Sequence, residues 1–410
     1  MSESGPRQTG HILIFEPRVE GHHLGYLKTI ADRLLADGYR LTLAVDTSPD
    51  AYASVRRELG AALERVAVVA ATEETKRSGA TVGRVATLLA QTGADLAFLP
   101  NLDEIASAML RDAALGRMPP ALLRGRLGGI YLRPRFLQSL GLSPNLWLKS
   151  VGFRRLIRGG WFSHLLLLDP YLCARLKSRE PDAPAFFLPD YFPADFVADR
   201  AEARRRLDLP EDKRVFLFYG AGYRRKGLGL AVAAMLAMPA SSHVLLLCAG
   251  RQASDAGIAA GLERLAGEGR ARVIDRYVSN DEEKQLFAAS DAVLLPYIRH
   301  FGSSGVLMRA IGAGLPVIAS DEELVGRLVR DHGLGVLFRS GDTRALRGAI
   351  ESVARASSAQ MAQWQAAARA VAPTRTQRAF GEALSEAFQH ALSRGLGRSP
   401  SIPGAEDRRH

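Results

Sequence analysis

Runs rich in apolar residues alternate with segments of helical spacing along the first half of the chain. The runs lie at 11–17, 40–45, 66–70, 95–100, 128–132 and 164–168. Short continuous apolar runs are typical of strands buried on both faces of a parallel sheet. The segments between them, such as 25–35, carry apolar residues three and four positions apart, which favours amphipathic helices. The alternation predicts a doubly wound parallel sheet.

A second series of the same kind begins after an interruption. Its apolar runs lie at 215–219, 244–247, 271–274, 292–295 and 317–319. Before it, the segment 186–193 places Pro189 and Pro193 around a short extended stretch, and a charged helix follows at 201–207. Proline interrupts both helices and sheets, so we place a domain junction there. The predicted fold class is α/β, with two Rossmann-like, doubly wound domains facing across a cleft.

The predicted domain boundaries follow from this junction. The first domain covers residues 1–190 and the second covers 191–375. An amphipathic helix at 376–392 is predicted to pack across the junction. Residues 393–410 are rich in Ser, Gly, Pro and charged residues with almost no apolar content, so we expect this tail to be disordered.

The segment from Asp291 to Ser320 has the pattern of a phosphate-binding loop. A buried strand is followed by Gly302-Ser303-Ser304-Gly305, then by a helix, and Gly314 and Pro316 end that helix before the next strand. A helix N-terminus offers unpaired N–H groups and positive potential, and small side chains let a diphosphate approach the backbone. The alternative is a strand–helix–strand unit whose Gly/Ser turn binds nothing.

Composition narrows the class of protein. A chain of 410 residues with 47% hydrophobic and 24% charged residues is typical of a soluble protein of two domains. Cys173 and Cys248 lie in apolar surroundings and are predicted to be buried thiols in a reducing compartment. The cysteines and histidines show no metal-ligand spacing, and we find neither a signal peptide nor an apolar run long enough to span a membrane. We therefore predict a cytoplasmic protein without metal or cofactor.

The net charge of +11 and the pI near 9.9 indicate an acidic partner. The region 113–168 contains no acidic residue, but it contains nine basic residues interleaved with large apolar ones. This mixture suits an anionic membrane surface, and on a predicted helix at 145–158 the side chains of Arg154, Arg155 and Arg158 share one face. No recognition helix, zinc finger or RNP-like pattern supports nucleic acid as the partner. The alternative is a solvated basic surface.

Several motifs in fixed order carry a family resemblance. They are Tyr219–Gly227 after a strand, Val278–Glu283 leading to Leu286–Asp291, Gly314–Ser320, Gly333–Val336 and Ser340–Asp342. With these motifs, residues 215–345 resemble the C-terminal half of a family 4 glycosyltransferase with the GT-B fold. The N-terminal half is similar only in its glycine-containing first loop.

The resemblance implies roles for individual residues. Lys226, helped by Arg225, would neutralise the diphosphate leaving group of a nucleotide sugar without a metal ion, and Gly222 would also bind the donor. Ser303, Ser304 and Gly305 would bind the same phosphates. The segment Arg276-Tyr277-Val278 would hold the base.

One departure from the family concerns two glutamates eight positions apart, the second of which binds the ribose. This chain has Phe301 and Arg309 in their places. The sequence leaves two interpretations of Arg309: contact with a phosphate or an acidic sugar, or exposure to solvent. The ribose contact and the stereochemistry of transfer are therefore left open.

The first loop of the N-terminal domain carries candidate acceptor residues. Glu20 and His22 are candidates for the catalytic base, and Gly21, His23 and Tyr26 for acceptor binding. The next strand end on the same predicted side of the sheet offers Asp103, a further candidate base whose alternative role is to cap a helix.

These patterns predict a metal-independent hexosyltransferase of polysaccharide or glycolipid synthesis. Its partners would be a nucleotide-sugar donor, an acceptor saccharide that is free or lipid-linked, and the inner face of an anionic membrane. Two alternatives remain at this stage: a nucleotide-sugar epimerase of the same fold, and a non-catalytic protein that binds nucleotide sugars.

Overall fold

The structure, a computed structural model, divides the chain into two compact units. It describes residues 10–19, 23–71, 78–138, 143–193, 196, 198–252 and 255–396. The first unit comprises residues 1–188 and 381–410, and the second comprises residues 189–380. Both consist of a parallel sheet with helices between successive strands.

The first unit contains seven parallel strands in its described part, in the order β3-β2-β1-β4-β5-β6-β7. The strands are β1 (His11–Phe15), β2 (Arg40–Val45), β3 (Ala67–Ala70), β4 (Leu96–Leu99), β5 (Leu127–Tyr131), β6 (Phe162–Leu167) and β7 (Ala185–Phe187). The helices are α1 (His23–Ala36), α2 (Pro49–Leu59), α3 (Ser78–Thr92), α4 (Asp103–Ala114), α5 (Pro144–Arg158) and α6 (Pro170–Arg179). This is the doubly wound arrangement that the alternating pattern predicts.

The second unit repeats the arrangement with six described strands in the order β10-β9-β8-β11-β12-β13. The strands are β8 (Arg214–Tyr219), β9 (Val244–Ala249), β10 (Ala271–Ile274), β11 (Ala292–Leu295), β12 (Val317–Ser320) and β13 (Gly335–Phe338). The helices are α7 (Arg200–Arg206), α8 (Leu228–Leu236), α9 (Ala256–Gly267), α10 (Asn280–Ala289), α11 (Gly305–Gly312), α12 (Glu323–His332), α13 (Thr343–Ala354) and α14 (Ser358–Val371). A last helix, α15 (Gln377–Leu396), begins in the second unit and continues in the first.

Burial explains why the strands are nearly continuous apolar runs. Every residue of β1, β4, β9 and β11 is buried, because helices cover both faces of each sheet. The buried side chains of the first unit include a histidine. His164 of β6 is fully buried, its ring stacks on Phe98, and Phe388 of α15 also contacts the His164 ring. The neighbouring strand β5 must carry glycine at position 128, since a Cβ there would lie 2.2 Å from Cε1 of His164.

A buried ion cluster fixes the start of the second sheet. Asp291, just before β11, accepts hydrogen bonds from the backbone N–H of Val215 and from Arg204, each at 2.8 Å. The side chain of Arg204 is itself buried and also donates to the carbonyl of Ala289. Because each buried charge has a partner, α7 is held firmly against the sheet.

The structure corrects the predicted elements in three places. Residues 185–187 form the edge strand β7, where the sequence predicts an extended junction. Residues 335–338 form β13, where the sequence shows only a motif of the family. The last helix extends to Leu396, four residues into the tail for which composition predicts disorder. Residues 397–410 lie outside the described part of the chain.

Three features of composition can be compared with the fold. Cys173 and Cys248 are both buried free thiols. Among the described residues, no helix combines the length and the apolar character needed to cross a membrane. The same residues contain no group of three His, Cys, Asp or Glu side chains arranged to hold a metal ion.

Candidate functional site

The second sheet has a topological switch point between β8 and β11. These strands are neighbours, but the chain continues from β8 to β9 on one side and from β11 to β12 on the other. In doubly wound sheets, ligands bind in the crevice beyond the carboxyl ends of such a strand pair. The loops that leave these two ends are 220–227 and 296–304. The two loops for which the family resemblance implies contact with the diphosphate therefore lie at this crevice.

The two loops are fastened to each other through backbone contacts. The N–H of Ile298 donates to the carbonyl of Arg225 at 2.9 Å. Gly227 has a φ of +76° and lies so close to the other loop that a Cβ would be 1.8 Å from the carbonyl oxygen of Pro296. Only glycine fits there, and this contact sets the position of the preceding residue, Lys226.

Lys226 is held at the N-terminus of α11 by an aromatic hydroxyl. Its Nζ donates to the Tyr297 hydroxyl at 3.0 Å and lies 4.2 Å from the centre of that ring. The Tyr297 hydroxyl is 2.9 Å from Oγ of Ser304, and Ser304 caps α11 by accepting from the N–H of Leu307. An ammonium group therefore lies beside a capped helix N-terminus, where the helix also presents positive potential, and this combination suits a phosphate group.

Ser303 and Arg225 are held by other residues around the same loop. Ser303 donates from Oγ to the Asp190 carboxylate at 2.7 Å. Its carbonyl lies 3.1 Å from Nε2 of His300, and Nδ1 of His300 lies 3.3 Å from Arg225. Gly222 is buried within the loop after β8. The structure thus brings Gly222, Arg225, Lys226, Ser303, Ser304 and Gly305 together at one crevice.

Arg309 forms an ion pair with a buried carboxylate, a contact that neither interpretation of the sequence includes. Its Nε donates to Glu283 of α10 at 2.5 Å, and its Nη1 donates to the carbonyl of Gly305 at 3.1 Å. The Glu283 side chain is 4% exposed and the Arg309 side chain 27% exposed. Burial, together with the charge and hydrogen bond of Glu283, raises the pKa of Tyr219 at the end of β8. Tyr219, Glu283 and Arg309 therefore form one network beside the N-terminus of α11.

The proposed base-binding segment follows β10. Tyr277 is 81% exposed, whereas Val278 is buried. Arg276 forms a bidentate ion pair with Glu282 and donates to the carbonyl of Tyr277 at 3.1 Å. This pair lowers the pKa of Glu282 to about 2. A cavity of about 550 Å³ opens beside the segment, between β10, α7 and α10.

The first sheet has its own switch point, between β1 and β4. At the end of β1, the Glu16 carboxylate is buried and lies 3.3 Å from Nδ1 of His23, the first residue of α1. Glu16 also accepts from the N–H of Arg18 at 3.1 Å, and the side chain of Arg18 forms an ion pair with Glu104. Burial raises the pKa of Glu104 despite that partner. This crevice therefore carries a paired histidine and two carboxylates.

Asp103, the other candidate base of the first unit, makes two backbone contacts. Its carboxylate accepts from the N–H groups of Leu132 at 2.6 Å and Arg133 at 2.9 Å, so it links the start of α4 to the end of β5. Burial outweighs these hydrogen bonds and raises the pKa of Asp103. Tyr26 lies on α1, one turn after His23. Glu20, Gly21 and His22 lie outside the described residues.

Sequence reasoning missed Glu16, Tyr297, Asp190 and Glu283. One of them carries a signal that could have been found. Glu283 precedes the buried Leu286 and Phe287 by three and four positions, so it lies on the apolar face of α10 and needs a partner. The other three follow the ends of strands β1, β7 and β11, and their sequence context gives no hint of their partners.

Comparison with known proteins gives one family match within the second unit. Residues 199–371 match the family model for glycosyl transferases, group 1. No curated protein sequence matches the chain significantly.

The chain is similar in fold to many solved structures. WaaG, a glycosyltransferase involved in lipopolysaccharide biosynthesis, is 18% identical with a TM-score of 0.64, over 92% of this chain and 99% of its own. HepE of Anabaena, solved in complex with UDP-glucose, is 16% identical with a TM-score of 0.63, over 92% and 99%. The sucrose-phosphate synthase of Thermosynechococcus elongatus is 15% identical with a TM-score of 0.65, over 94% and 100%. The chain thus has the GT-B fold of two Rossmann-like units, and its second unit matches the glycosyl transferases of group 1.

Proposed function

We propose that this protein is a glycosyltransferase that moves a sugar from a nucleotide-diphosphate donor to an acceptor hydroxyl. The observation that carries the proposal is the position of Lys226, whose ammonium group is fixed by Tyr297 and Ser304 beside the N-terminus of α11. The match of this unit to group 1 glycosyl transferases supports it. So does HepE, a protein of similar fold that was solved with UDP-glucose.

The chemistry of transfer explains why a fixed cation is needed. The acceptor oxygen forms a bond to the anomeric carbon while the bond from that carbon to the diphosphate oxygen breaks. The electron pair of the broken bond remains on the diphosphate, and the acceptor proton passes to a base. Lys226 and the first-turn N–H groups of α11 would stabilise the charge that develops on the diphosphate. Preorganised donors contribute most when they do not have to reorient, which the contacts of Tyr297 ensure for Lys226.

The first unit would bind the acceptor at the end of β1. His23 is oriented by the buried Glu16 carboxylate, an arrangement that lets an imidazole accept a proton from a hydroxyl group. Tyr26, on the same helix, and Gly21 would contribute to acceptor binding. Glu20, His22 and Asp103 remain alternative bases, although Asp103 already accepts two backbone hydrogen bonds.

The finer assignments are part of this proposal. The sugar would be a hexose, transfer would proceed without a metal ion or cofactor, and the acceptor would be a lipid-linked saccharide in polysaccharide or glycolipid synthesis. The enzyme would act in the cytoplasm at the inner face of the membrane, which the basic region 113–168 supports.

The test is incubation of the purified chain with a panel of radiolabelled nucleotide sugars, with chelator present and with or without lipid-linked acceptors. Transfer of label, or slow release of free sugar without acceptor, is the expected result. Conversion of the donor into an isomeric nucleotide sugar would instead identify an epimerase. Tight binding of donor without any turnover would identify a non-catalytic binding protein, and absence of both binding and turnover would refute the proposal.

A further inference from the structure

A second candidate binding site lies in the first unit, away from the end of β1. It is a pocket of about 320 Å³ between α5, α6 and the short helical turn Arg135–Leu137. The floor is apolar and consists of Phe136, Leu137, Phe153 and Leu176. The rim is basic and carries Arg154, Arg158, Arg175 and Arg179, with Glu180 as its acidic member. We call this site the arginine pocket.

Most of the positive charge of the arginine pocket lacks a carboxylate partner. Arg158 forms a bidentate ion pair with Glu180 at 2.9 and 3.1 Å, which leaves three of the four arginines. Arg175 donates to the carbonyl of Gln138 at 2.8 Å and keeps its charge. Within the described part of the chain, Arg154 and Arg179 have neither an ion pair nor a hydrogen bond. Three clustered cations repel one another, so an anion in the pocket would be strongly attracted.

The packing of α5 decides which of its side chains reach this pocket. A Cβ at Gly152 would lie 1.8 Å from the carbonyl oxygen of Leu110, so α5 packs tightly on α4 there. Lys149 turns to α4 and donates to Oγ of Ser107 at 3.0 Å. Arg155 likewise donates to two carbonyls at the end of α4, those of Ala113 at 3.1 Å and Ala114 at 2.9 Å. The structure therefore separates Arg155 from Arg154 and Arg158, with which the sequence groups it.

The outer face of α5 combines basic and aromatic character. Trp147 and Arg154 are seven positions apart, two helical turns, and so lie on the same face. The Trp147 side chain is 54% exposed, an unusual state for so large an apolar group. Tryptophan at the boundary between water and lipid is typical of membrane-binding surfaces.

We propose that the arginine pocket binds the phosphate group of an anionic phospholipid and that Trp147 enters the interfacial layer of the same bilayer. Guanidinium groups form paired hydrogen bonds with phosphate oxygens, which three arginines without carboxylate partners can supply. The apolar floor suits the glycerol and first acyl carbons of a lipid. A soluble phosphate ligand would match the rim but would leave that floor and Trp147 in water. This inference rests on the membrane association included in the proposed function and names the site that would bind the lipid, and flotation tests it separately from transferase activity.

The experiment is flotation of the full-length protein with vesicles of phosphatidylcholine, with and without phosphatidylglycerol. Wild-type protein should float only with the anionic vesicles. The double variant Arg154→Glu/Arg175→Glu should lower the bound fraction by at least about tenfold, because each basic residue near an anionic surface contributes appreciably to binding. Trp147→Ala should lower it by about threefold, and this loss should persist at high salt because it is apolar in origin.

A matched control separates the pocket from general charge attraction. Arg117→Glu/Lys177→Glu changes the net charge by the same amount, but neither residue lines the pocket. Arg117 pairs with Asp112, and Lys177 lies over the ring of Phe186. This control should retain most of the binding, and circular dichroism should show both double variants folded.

Three results would overturn the inference. One is wild-type flotation of Arg154→Glu/Arg175→Glu, and another is equal loss in the control. The third is failure of the wild-type protein to float with anionic vesicles although it binds inorganic phosphate in solution, which would indicate a site for free phosphate.

Discussion

The two switch points have the same architecture and opposite chemistry. In both units the first strand of the series lies beside the fourth, and side chains gather beyond their carboxyl ends. In the first unit these are Glu16, Asp103 and Glu104 with His23, a crevice rich in carboxylates. In the second they are Lys226 and Arg225 with the hydroxyls of Ser303 and Ser304, a crevice rich in cations and donors.

Under the proposed function, this difference would let one fold bind two kinds of substrate. Carboxylates and a paired imidazole accept protons and hydrogen bonds, so they suit the hydroxyl groups of an acceptor. A lysine and a capped helix N-terminus donate, so they suit a diphosphate. The parallel sheet determines where each crevice lies, whereas a few side chains in the loops determine what it binds.

Removal of the cation from the second crevice should have the largest effect on activity. We expect Lys226→Ala to lower kcat for sugar transfer by about 10²–10³-fold, because a preorganised group that stabilises the leaving charge is lost. The neighbouring Arg224→Ala is the control, since Arg224 lies on the same short turn without contacting Tyr297, and it should change kcat less than about threefold. Steady-state kinetics with saturating donor measure both. Equal losses in the two variants would mean that general positive charge, not the fixed ammonium group, matters.

Substitution of one glycine by alanine should have opposite effects on stability in the two crevices. Gly227 has a positive φ, and in Gly227→Ala the new Cβ would collide with the carbonyl of Pro296. We therefore expect the free energy of unfolding to fall by about 3 kcal/mol and donor binding to weaken. Gly25 lies within α1, where an added Cβ would be 4.0 Å from its nearest neighbour, Oε1 of Glu58. Gly25→Ala should therefore stabilise the protein by about 0.5 kcal/mol through helix propensity. Urea unfolding compares the two, and a stable Gly227→Ala variant would show that the loops can separate.

The sequence predicts most of the fold because the relevant signals are local. The bounds of β2, β10 and β11 agree with the predicted ones, since each apolar run is delimited by turn or polar residues. The edge strand β7 has only three residues, too few for a periodic signal, and it is identified as a strand by its pairing with β6. Local patterns therefore find most of the strands, including the edge strand β10, and miss β7 and β13, each of which lies at an edge of its sheet.

The site was predictable only where residues follow a strand at fixed spacing. Ser304 could be singled out because it lies in a Gly/Ser turn between a buried strand and a helix, and Lys226 because the loop after β8 resembles a family motif. The partners of the site residues could not be placed in this way. Ser303 binds Asp190, 113 positions away, and Arg309 binds Glu283, 26 positions away. Such pairs depend on how distant elements pack, which hydrophobic periodicity does not encode.

The core of the first unit contains a fully buried histidine, His164, which should make the stability of the protein depend on pH. Burial, with a smaller contribution from His390, lowers the pKa of His164 to about 3, whereas an unfolded histidine titrates near 6.5. Between these values the unfolded state binds a proton that the folded state does not, so stability is lost as the pH falls below about 6.5. As the pH falls, the free energy of unfolding should decrease more steeply in the wild type than in His164→Phe. The two slopes should differ by up to about 1.4 kcal/mol per pH unit. Denaturant melts of both proteins between neutral pH and pH 5 measure this difference, and parallel curves would contradict the assignment.

In the first crevice, the Glu16–His23 pair should affect transfer but not donor binding. We expect Glu16→Gln to lower kcat for transfer to an acceptor by about thirtyfold, since the imidazole loses the carboxylate that orients it. Slow donor hydrolysis without acceptor and the donor Kd should remain unchanged. Glu58→Gln, an exposed glutamate of the same unit, is the control. A rise in donor Kd in Glu16→Gln would contradict the division of roles between the two crevices.

The smallest expected effect concerns the buried carboxylate beside the second crevice. Glu283 holds Arg309 beside the N-terminus of α11, so Glu283→Gln should let the guanidinium move without removing its charge. We expect the KM for the donor to rise about fivefold with kcat nearly unchanged, because one hydrogen bond to a charged group is weakened. Glu263→Gln is the control, since Glu263 is an exposed carboxylate on α9 of the same unit and lies in none of the segments assigned to the donor. If Arg309→Gln raised KM no further than Glu283→Gln and the two changes were not additive, both residues would act as one unit, as the ion pair implies. Additive effects would instead show that Glu283 contributes to donor binding separately from Arg309, and the acidic and basic crevices would then be less distinct than their geometry suggests.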